Sequence, residues 1–377
     1  MTVVNDITNN MKTDKKAALY YKTEALHVNV DNYVHTNNWE ILQSIKILNS
    51  KGFSVDLIDR SCRHWSPKQT YDLFLGLGVG NSGRNFVAHA QASKAPKKVL
   101  LSMGPQPDIS NDRTHKRYKM FHERTGHYAP PMRTVGEVTG DNFLKIIDTA
   151  DYVFNIGEKN TQSYNSFLKY GKPVINFYPS ISPFVNYHSQ YLSTRDMNSF
   201  LCFAGNGFIC KGVDLVVEAF LRDPSKQLHI CGPKSEASFF QYYGQKIAQS
   251  PNIHYHGFIT PGGERFNALA SICSYVVFHS AAEGCCTSVA TAIKAGLVPI
   301  INKWTGINIK DEGVGLSEEG DLIENISRAT SDASAFSNQH YTNMVEKIVD
   351  KSQIFSQASF TDSYSKAIDI ITSETLP

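Results

Sequence analysis

The sequence predicts an α/β protein made of two domains, each built on a mostly parallel sheet. Three observations carry this expectation. Strand-like apolar runs alternate with helical patterns along most of the chain, and the alternation occurs twice. A break containing Pro and Ser, NFYPSISPFVNYHS at 176–189, separates the two series. The 377 residues suffice for two domains of ordinary size, each able to bury its own core.

Residues 1–16 are polar, lack a hydrophobic leader segment, and are expected to form a flexible tail. The first domain is expected over 17–180. It opens with a strand at 24–30 (EALHVNV), a loop carrying HTNNWE at 35–40, a helix to about Asn49 and a strand at 53–58. Further strands are expected at 72–77, 98–102, 151–156 and 173–176, with helices between them. A linker at 181–189 leads to a second domain at 190–355, and 356–377 is expected to hold a final helix. That helix reads from Thr361, with Tyr364, Ala367, Ile368 and Ile371 on its apolar side and Thr361 or Asp362 as its cap.

Composition excludes several function classes. A net charge of +2 argues against a dedicated nucleic-acid binder. No run of about 18 apolar residues is present, so no membrane span is expected, and the reading is a cytoplasmic protein with room for peripheral attachment at the inner membrane face. The seven cysteines (62, 202, 210, 231, 273, 285, 286) are odd in number and several fall in strand-like runs, as reduced core residues do. None has the spacing of a metal site, so no metal is expected.

Two segments carry the chemistry. In FAGNGFICKGVDLVVEA (203–219) an apolar strand end meets a turn through Gly205 and Gly207. Lys211 follows, then a helix with Val213, Val216, Val217 and Phe220 on one face. In EGCCTSVATAIKAGLVPI (283–300), which follows the strand-like YVVFH, Glu283 and Gly284 precede a helix start at Cys286, Thr287 and Ser288. Ligands of open α/β sheets bind beyond the carboxyl ends of strands, and helix N-termini favour anions. The pair therefore predicts two adjacent helix starts serving one anionic ligand, with Lys211 on phosphate and Glu283 accepting from sugar hydroxyls. Cys285 and Cys286 also raise the alternative of a thiolate at a helix start.

With LHICGP (228–233) and NIHYHGF (252–258) between them, these segments resemble the donor-binding half of retaining nucleotide-sugar glycosyltransferases of the GT-B fold, glycosyltransferase family four in particular. The resemblance implies two Rossmann-like domains with parallel sheets facing a central cleft, and a C-terminal helix crossing back to the first domain. It implies a hexosyltransferase that moves a sugar from a nucleotide diphosphate (UDP or GDP) to a glycan or lipid-linked acceptor in polysaccharide biosynthesis. No cofactor beyond the donor is implied. Lys211 and Glu283 take the catalytic positions. Gly205, Asn206, Gly207, Phe258, Ile259, Gly284, Cys285, Cys286, Thr287, Ser288 and Thr291 take donor-binding ones, with Phe258 and Ile259 at the base and Thr291 at the ribose. Two positions depart from the family. Its diphosphate arginine falls on Asn206 and its second glutamate on Thr291, and both changes remove a charge.

On the acceptor side the resemblance makes His35, Thr36 and Asn37 candidates. GVGNSG at 78–83 also fits the dinucleotide pattern G-x-G-x-x-G, which keeps an NAD-dependent oxidoreductase as an alternative. The motif does not follow the first strand, however, and no acidic residue stands about 20 positions downstream. Its reading here is a close backbone approach to a sugar, with Gly80, Asn81, Arg84 and His89 as candidates. The losses at Asn206 and Thr291 keep a second alternative, a non-catalytic binder of nucleotide sugars. The basic and aromatic stretch from Pro105 to Arg133 is read as an acceptor-side helix and loop, with Arg113, Lys116, Arg117, Arg124 and His127 not ranked by spacing.

Overall fold

The computed structural model describes residues 2–28, 36–79, 81–134 and 138–373. His35 and Gly80, both candidates above, lie outside the described residues. The chain divides into two compact units: 1–111 with 134–180 and 357–377, and 112–133 with 181–356.

Unit 1 holds β1 (Val3–Ile7), β2 (Lys15–Tyr21), β3 (Phe53–Asp59), β4 (Leu73–Leu77), β5 (Lys97–Ser102), β6 (Tyr152–Ile156) and β7 (Val174–Phe177). They form one sheet in the order β1-β3-β2-β4-β5-β6-β7. Every pairing is parallel except that of β1. Helices α1 (Thr36–Ser50), α2 (Phe86–Ser93), α4 (Gly140–Thr149), α5 (Gln162–Leu168) and α12 (Gln357–Ser373) cover its faces; α3 (Pro107–Thr125) begins in this unit and continues in the other. Alternation along β2 explains the two layers. Leu19 joins Ile41, Ile45 and Leu48 of α1 and Phe360, Tyr364 and Ile368 of α12. Ala18 and Tyr20 join Phe86 of α2, Phe143 and Ile146 of α4, and Phe167 of α5. A strand buried on both faces reads as a continuous apolar run.

Several expectations for this half are corrected. The first parallel strand is Lys15–Tyr21, and within the range expected as a strand, 24–30, residues 24–26 make a short 3-10 turn while 29 and 30 lie outside the described residues. KKAALYY hides its apolar run behind two lysines. The tail expectation for 1–16 also fails. Val3–Ile7 adds an antiparallel edge strand to β3, and Asp6 N–H donates to Asp56 Oδ1 at 2.8 Å. Thr36 and Asn37 lie in the first turn of α1, not in a loop. The last helix starts at Gln357, whose carbonyl accepts from the Thr361 hydroxyl at 2.8 Å, so Thr361 is inside the helix and not its cap.

Unit 2 holds β8 (Asp196–Phe203), β9 (Gln227–Cys231), β10 (Ile253–Tyr255), β11 (Cys273–Phe278), β12 (Val298–Ile301) and β13 (Val314–Gly315), in the order β10-β9-β8-β11-β12-β13, all parallel. Its helices are α6 (Val213–Arg222), α7 (Ala237–Gln249), α8 (Glu264–Ile272), α9 (Thr287–Lys294), α10 (Leu322–Ser334) and α11 (Asn338–Lys351). The order is that of a doubly wound dinucleotide-type sheet, and its direction reverses between β8 and β11. Residues 181–189, expected as a linker, belong to this unit.

So does 112–133, expected in the first domain. Burial of its cations explains the placement. Arg117, 3% exposed, donates to the His279 carbonyl at 2.8 Å and to His279 Nδ1 at 2.9 Å. Arg124 is ion-paired with the fully buried Asp214, and Phe121 packs edge-on to Tyr242. Arg117 and Arg124, in the stretch read as an acceptor-side helix and loop, are thus structural. Among the described residues no helix is long and apolar enough to cross a membrane.

Candidate donor site at the β8 and β11 strand ends

The loops after β8 and β11 meet where the sheet order reverses, because these two strands are neighbours. A backbone bond ties the loops together, Ala281 N–H to the Cys210 carbonyl at 2.8 Å. Gly212 makes that approach feasible: its φ is +73°, and a Cβ there would lie 2.2 Å from the His279 carbonyl oxygen. The Glu283 loop is braced from the other side. Glu283 N–H donates to the Trp304 carbonyl at 2.9 Å, Cys286 N–H to that of Thr305 at 2.8 Å, and Gly306 packs directly on the Gly284 carbonyl.

Lys211 and Glu283, 72 positions apart in sequence, are in contact: Nζ donates to Oε1 at 2.5 Å. Both are about nine-tenths buried. A third residue completes the cluster. Arg133 donates from Nη1 to Glu283 Oε1 at 2.7 Å and from Nη2 to Oε2 at 3.3 Å, in the forked geometry a guanidinium offers a carboxylate. Burial pushes the Glu283 carboxyl upward, but Arg133 and Lys211 together outweigh it and hold the group down at about 2. Glu283 is therefore ionised at neutral pH, facing two cations.

Behind this cluster lies a largely buried polar network. His279, held neutral with its pKa near 3 by burial and then by Arg117, accepts from Arg117 at Nδ1. Asn302 donates to Glu318 Oε1 at 2.5 Å and to the Ser280 carbonyl at 2.8 Å, and accepts from Ser280 N–H at 3.0 Å. Arg113 joins Glu318 to the Ala281 carbonyl, each at 2.5 Å, with its guanidinium 4.0 Å from the Trp304 ring. These bonds fix the loop that carries Glu283. Lys116 pairs with Asp112 on the surface, and His127 packs edge-on to Tyr242, so neither reaches the cluster.

The two helix starts are not equivalent, which revises the expectation of a pair. The turn into α6 is closed by the protein's own carboxylates. Ile209 N–H donates to Glu236 Oε2 at 2.9 Å, Glu236 also accepts from Tyr118, and Asp214 sits in the first turn of α6. Burial raises the pKa of both acids, against the pull of Tyr118 on one and of Arg124 and Arg117 on the other. The start of α9 carries no acidic residue in its first turn and has Cys286 at its cap position. Unlike the turn into α6, the first turn of α9 holds no carboxylate of the protein's own.

The remaining candidates sort by exposure and by partner. Gly205 is open, with only Lys211 Cε, at 4.0 Å, near a Cβ placed there. Asn206 is neutral and accepts from Ser235 at 2.8 Å. Phe258 is 52% exposed and Ile259 is buried. Cys286 is buried against Ser288, and burial raises its thiol pKa, which argues against a thiolate. Thr291 is buried, and its hydroxyl donates to the Thr287 carbonyl at 2.7 Å, leaving it only acceptor capacity. In unit 1, Arg84 sits in the 3-10 turn Asn81–Asn85. His89 is a core residue: it is 1% exposed, bonds the Cys62 carbonyl at 2.9 Å and packs edge-on to Tyr20 and Trp65. Sequence reasoning missed Arg133. Its only signal is its place at the end of the basic stretch, 150 positions from Glu283.

Comparison with known proteins agrees with this architecture. Residues 188–333 match the family model of glycosyl transferases group 1. No curated protein matches by sequence. Among solved structures, WaaG, a glycosyltransferase involved in lipopolysaccharide biosynthesis, is similar over 95% of this chain and 100% of its own, at 15% identity and a TM-score of 0.57. Sucrose-phosphate synthase from Thermosynechococcus elongatus is similar over 96% of this chain and 100% of its own, at 11% identity and a TM-score of 0.63. Anabaena HepE, solved with UDP and glucose, covers 95% and 100%, at 11% identity and a TM-score of 0.57. The chain thus shares the GT-B fold of these proteins, and the stretch that matches the glycosyl transferases group 1 model, residues 188–333, contains the Lys211 and Glu283 site.

Proposed function

We propose that this protein is a glycosyltransferase that binds a nucleotide diphosphate sugar at the β8 and β11 strand ends of unit 2 and transfers the sugar, with retention of anomeric configuration, to a glycan or lipid-linked acceptor. The observation that carries the reading is the contact between Lys211 and Glu283 at the point where sheet order reverses. Breaking a glycosyl–phosphate bond puts negative charge on the leaving diphosphate and positive character on the sugar. Groups already fixed in a recessed site stabilise both with little reorganisation. Lys211 and the start of α9 face the diphosphate. Glu283, ionised at neutral pH, accepts from sugar hydroxyls and lies near the developing oxocarbenium ion. Phe258 and Ile259 lie at the base and Thr291 near the ribose. No cofactor beyond the donor substrate is required.

The reading places the protein in polysaccharide or glycoconjugate biosynthesis on the cytoplasmic side. It is tested with a panel of UDP-, GDP- and ADP-sugars and glycan or lipid-linked acceptors, following nucleotide release and the anomeric signal of the product by NMR. Transfer with an unchanged anomeric configuration supports it. Binding of every donor without transfer to any acceptor would instead make the protein a non-catalytic binder.

A further inference from the structure

From the geometry we infer that Arg133 is a diphosphate-binding residue, brought to the donor site from a distant stretch of the chain. The inference rests on the donor-site reading above and adds to it a ligand contact that no βα turn of unit 2 supplies. Four observations carry it.

Glu283 is a single carboxylate, yet it faces two cations. Lys211 alone neutralises it at 2.5 Å, so Arg133 leaves the cluster with one surplus positive charge. A surplus charge beside a buried ion pair favours an anion over a cation as the next ligand. Exposure then separates the two cations: the side chains of Lys211 and Glu283 are each 9% exposed, while that of Arg133 is 43% exposed. Arg133 thus closes the open side of the cluster. A guanidinium has five N–H donors, and two of them point at Glu283.

The stem of Arg133 also crosses the glycine turn. A Cβ on Gly207, whose φ is +86°, would lie 3.4 Å from Arg133 Cδ. The guanidinium is therefore held over the turn that leads to Lys211. On that turn the side chain at 206 is a neutral amide bonded to Ser235, so the turn offers no arginine of its own. Finally, Arg133 itself has a φ of +64°, a left-handed conformation uncommon for a long side chain and maintained at a cost. When a diphosphate enters, the outward N–H groups of Arg133 donate to its oxygens while Lys211 stays on the inner side.

The experiment titrates wild type, Arg133→Ala, Arg133→Lys and the double variant Arg133→Ala/Asn206→Arg by calorimetry. The ligands are UDP, GDP and ADP, with uridine, guanosine and adenosine as uncharged controls, and thermal melts verify folding. For whichever diphosphate the wild type binds, Arg133→Ala is expected to weaken affinity about 10- to 100-fold, as for loss of a charge-assisted contact. Affinity for the matching nucleoside stays within about twofold. Arg133→Lys recovers part of the loss, and Asn206→Arg recovers part of it by placing a guanidinium on the turn. Arg133 is refuted as a phosphate ligand if Arg133→Ala binds the diphosphate as wild type does, or if diphosphate and nucleoside weaken equally, as expected of a residue that only positions Glu283. If wild type binds no diphosphate, the donor-site reading falls and Arg133 falls with it.

Discussion

The turn after β4 in unit 1 and the turn after β8 in unit 2 each follow a strand beside the point where its sheet order reverses, and each is rich in glycine. In unit 1 Gly78 and Gly83 face inward. A Cβ on Gly78 would fall 1.8 Å from Leu100 Cδ1, and one on Gly83 would fall 2.6 Å from the Gly78 backbone. In unit 2 Gly205 faces open space, and the turn leads to an ionised glutamate held between a lysine and an arginine. Gly78 and Gly83 thus serve packing, as Gly212 does in unit 2, while Gly205 leaves its side of the turn accessible. What separates the two turns is charge gathered beyond the strand ends, so a glycine pattern read alone is a weak sign of a ligand.

The largest expected effect that sharpens this contrast is on Lys211. Lys211→Ala should lower turnover by about two orders of magnitude or more, as for loss of a main transition-state charge. Wild-type rates in that variant would place the chemistry elsewhere. Next comes Glu283→Gln, which leaves two cations facing a neutral amide. Removing one partner of a buried ion cluster costs about 3–5 kcal/mol, so the melting temperature should drop at pH 7 together with activity. The sign with pH follows from the depressed carboxyl. Its folded pKa of about 2 lies below the ordinary 4.5, so its stabilisation is present above about 4.5 and is lost as pH falls through about 2. Melts of wild type and Glu283→Gln should therefore differ most above pH 5 and converge toward pH 2. A constant gap would contradict the assignment.

Smaller effects contrast the two turns directly. Gly78→Ala should destabilise by about 1–3 kcal/mol through overpacking against Leu100 while leaving donor affinity within about twofold. Gly205→Ala should do the reverse. Stability should stay within about 0.5 kcal/mol, because the added methyl meets nothing closer than 4.0 Å, while donor affinity falls because that methyl stands where a ligand approaches. Swapped outcomes, measured by melting and by nucleotide titration, would erase the distinction drawn between the turns.

Much of unit 2 was legible from sequence because its strands are short apolar runs ended by glycine turns. Lys211 and Glu283 could be paired because strand ends are where chemistry collects in such sheets. Arg133 was not legible: it carries no periodic signal, and its meeting with Glu283 depends on the path of 112–133. That path is set by buried ion pairs and hydrogen bonds such as Arg124 with Asp214 and Arg117 with His279, which a basic stretch in a sequence disguises as a solvated surface. In unit 1 the strand at 15–21 was obscured by its flanking lysines, and β1 by its polar neighbours. An edge strand needs little apolar surface to be held by backbone pairing with β3. The carboxylates of Glu236 and Asp214 at the turn into α6 were equally hidden, since a helix start reads as an open anion site until something is seen to fill it.

The most direct test is a calorimetric titration of wild type and Lys211→Ala with UDP, GDP, ADP and NAD. A donor site at the β8 and β11 strand ends predicts that wild type binds at least one nucleoside diphosphate and not NAD, and that Lys211→Ala binds the same diphosphate much more weakly. Binding of NAD with no diphosphate bound, or equal diphosphate affinity in both proteins, would contradict it.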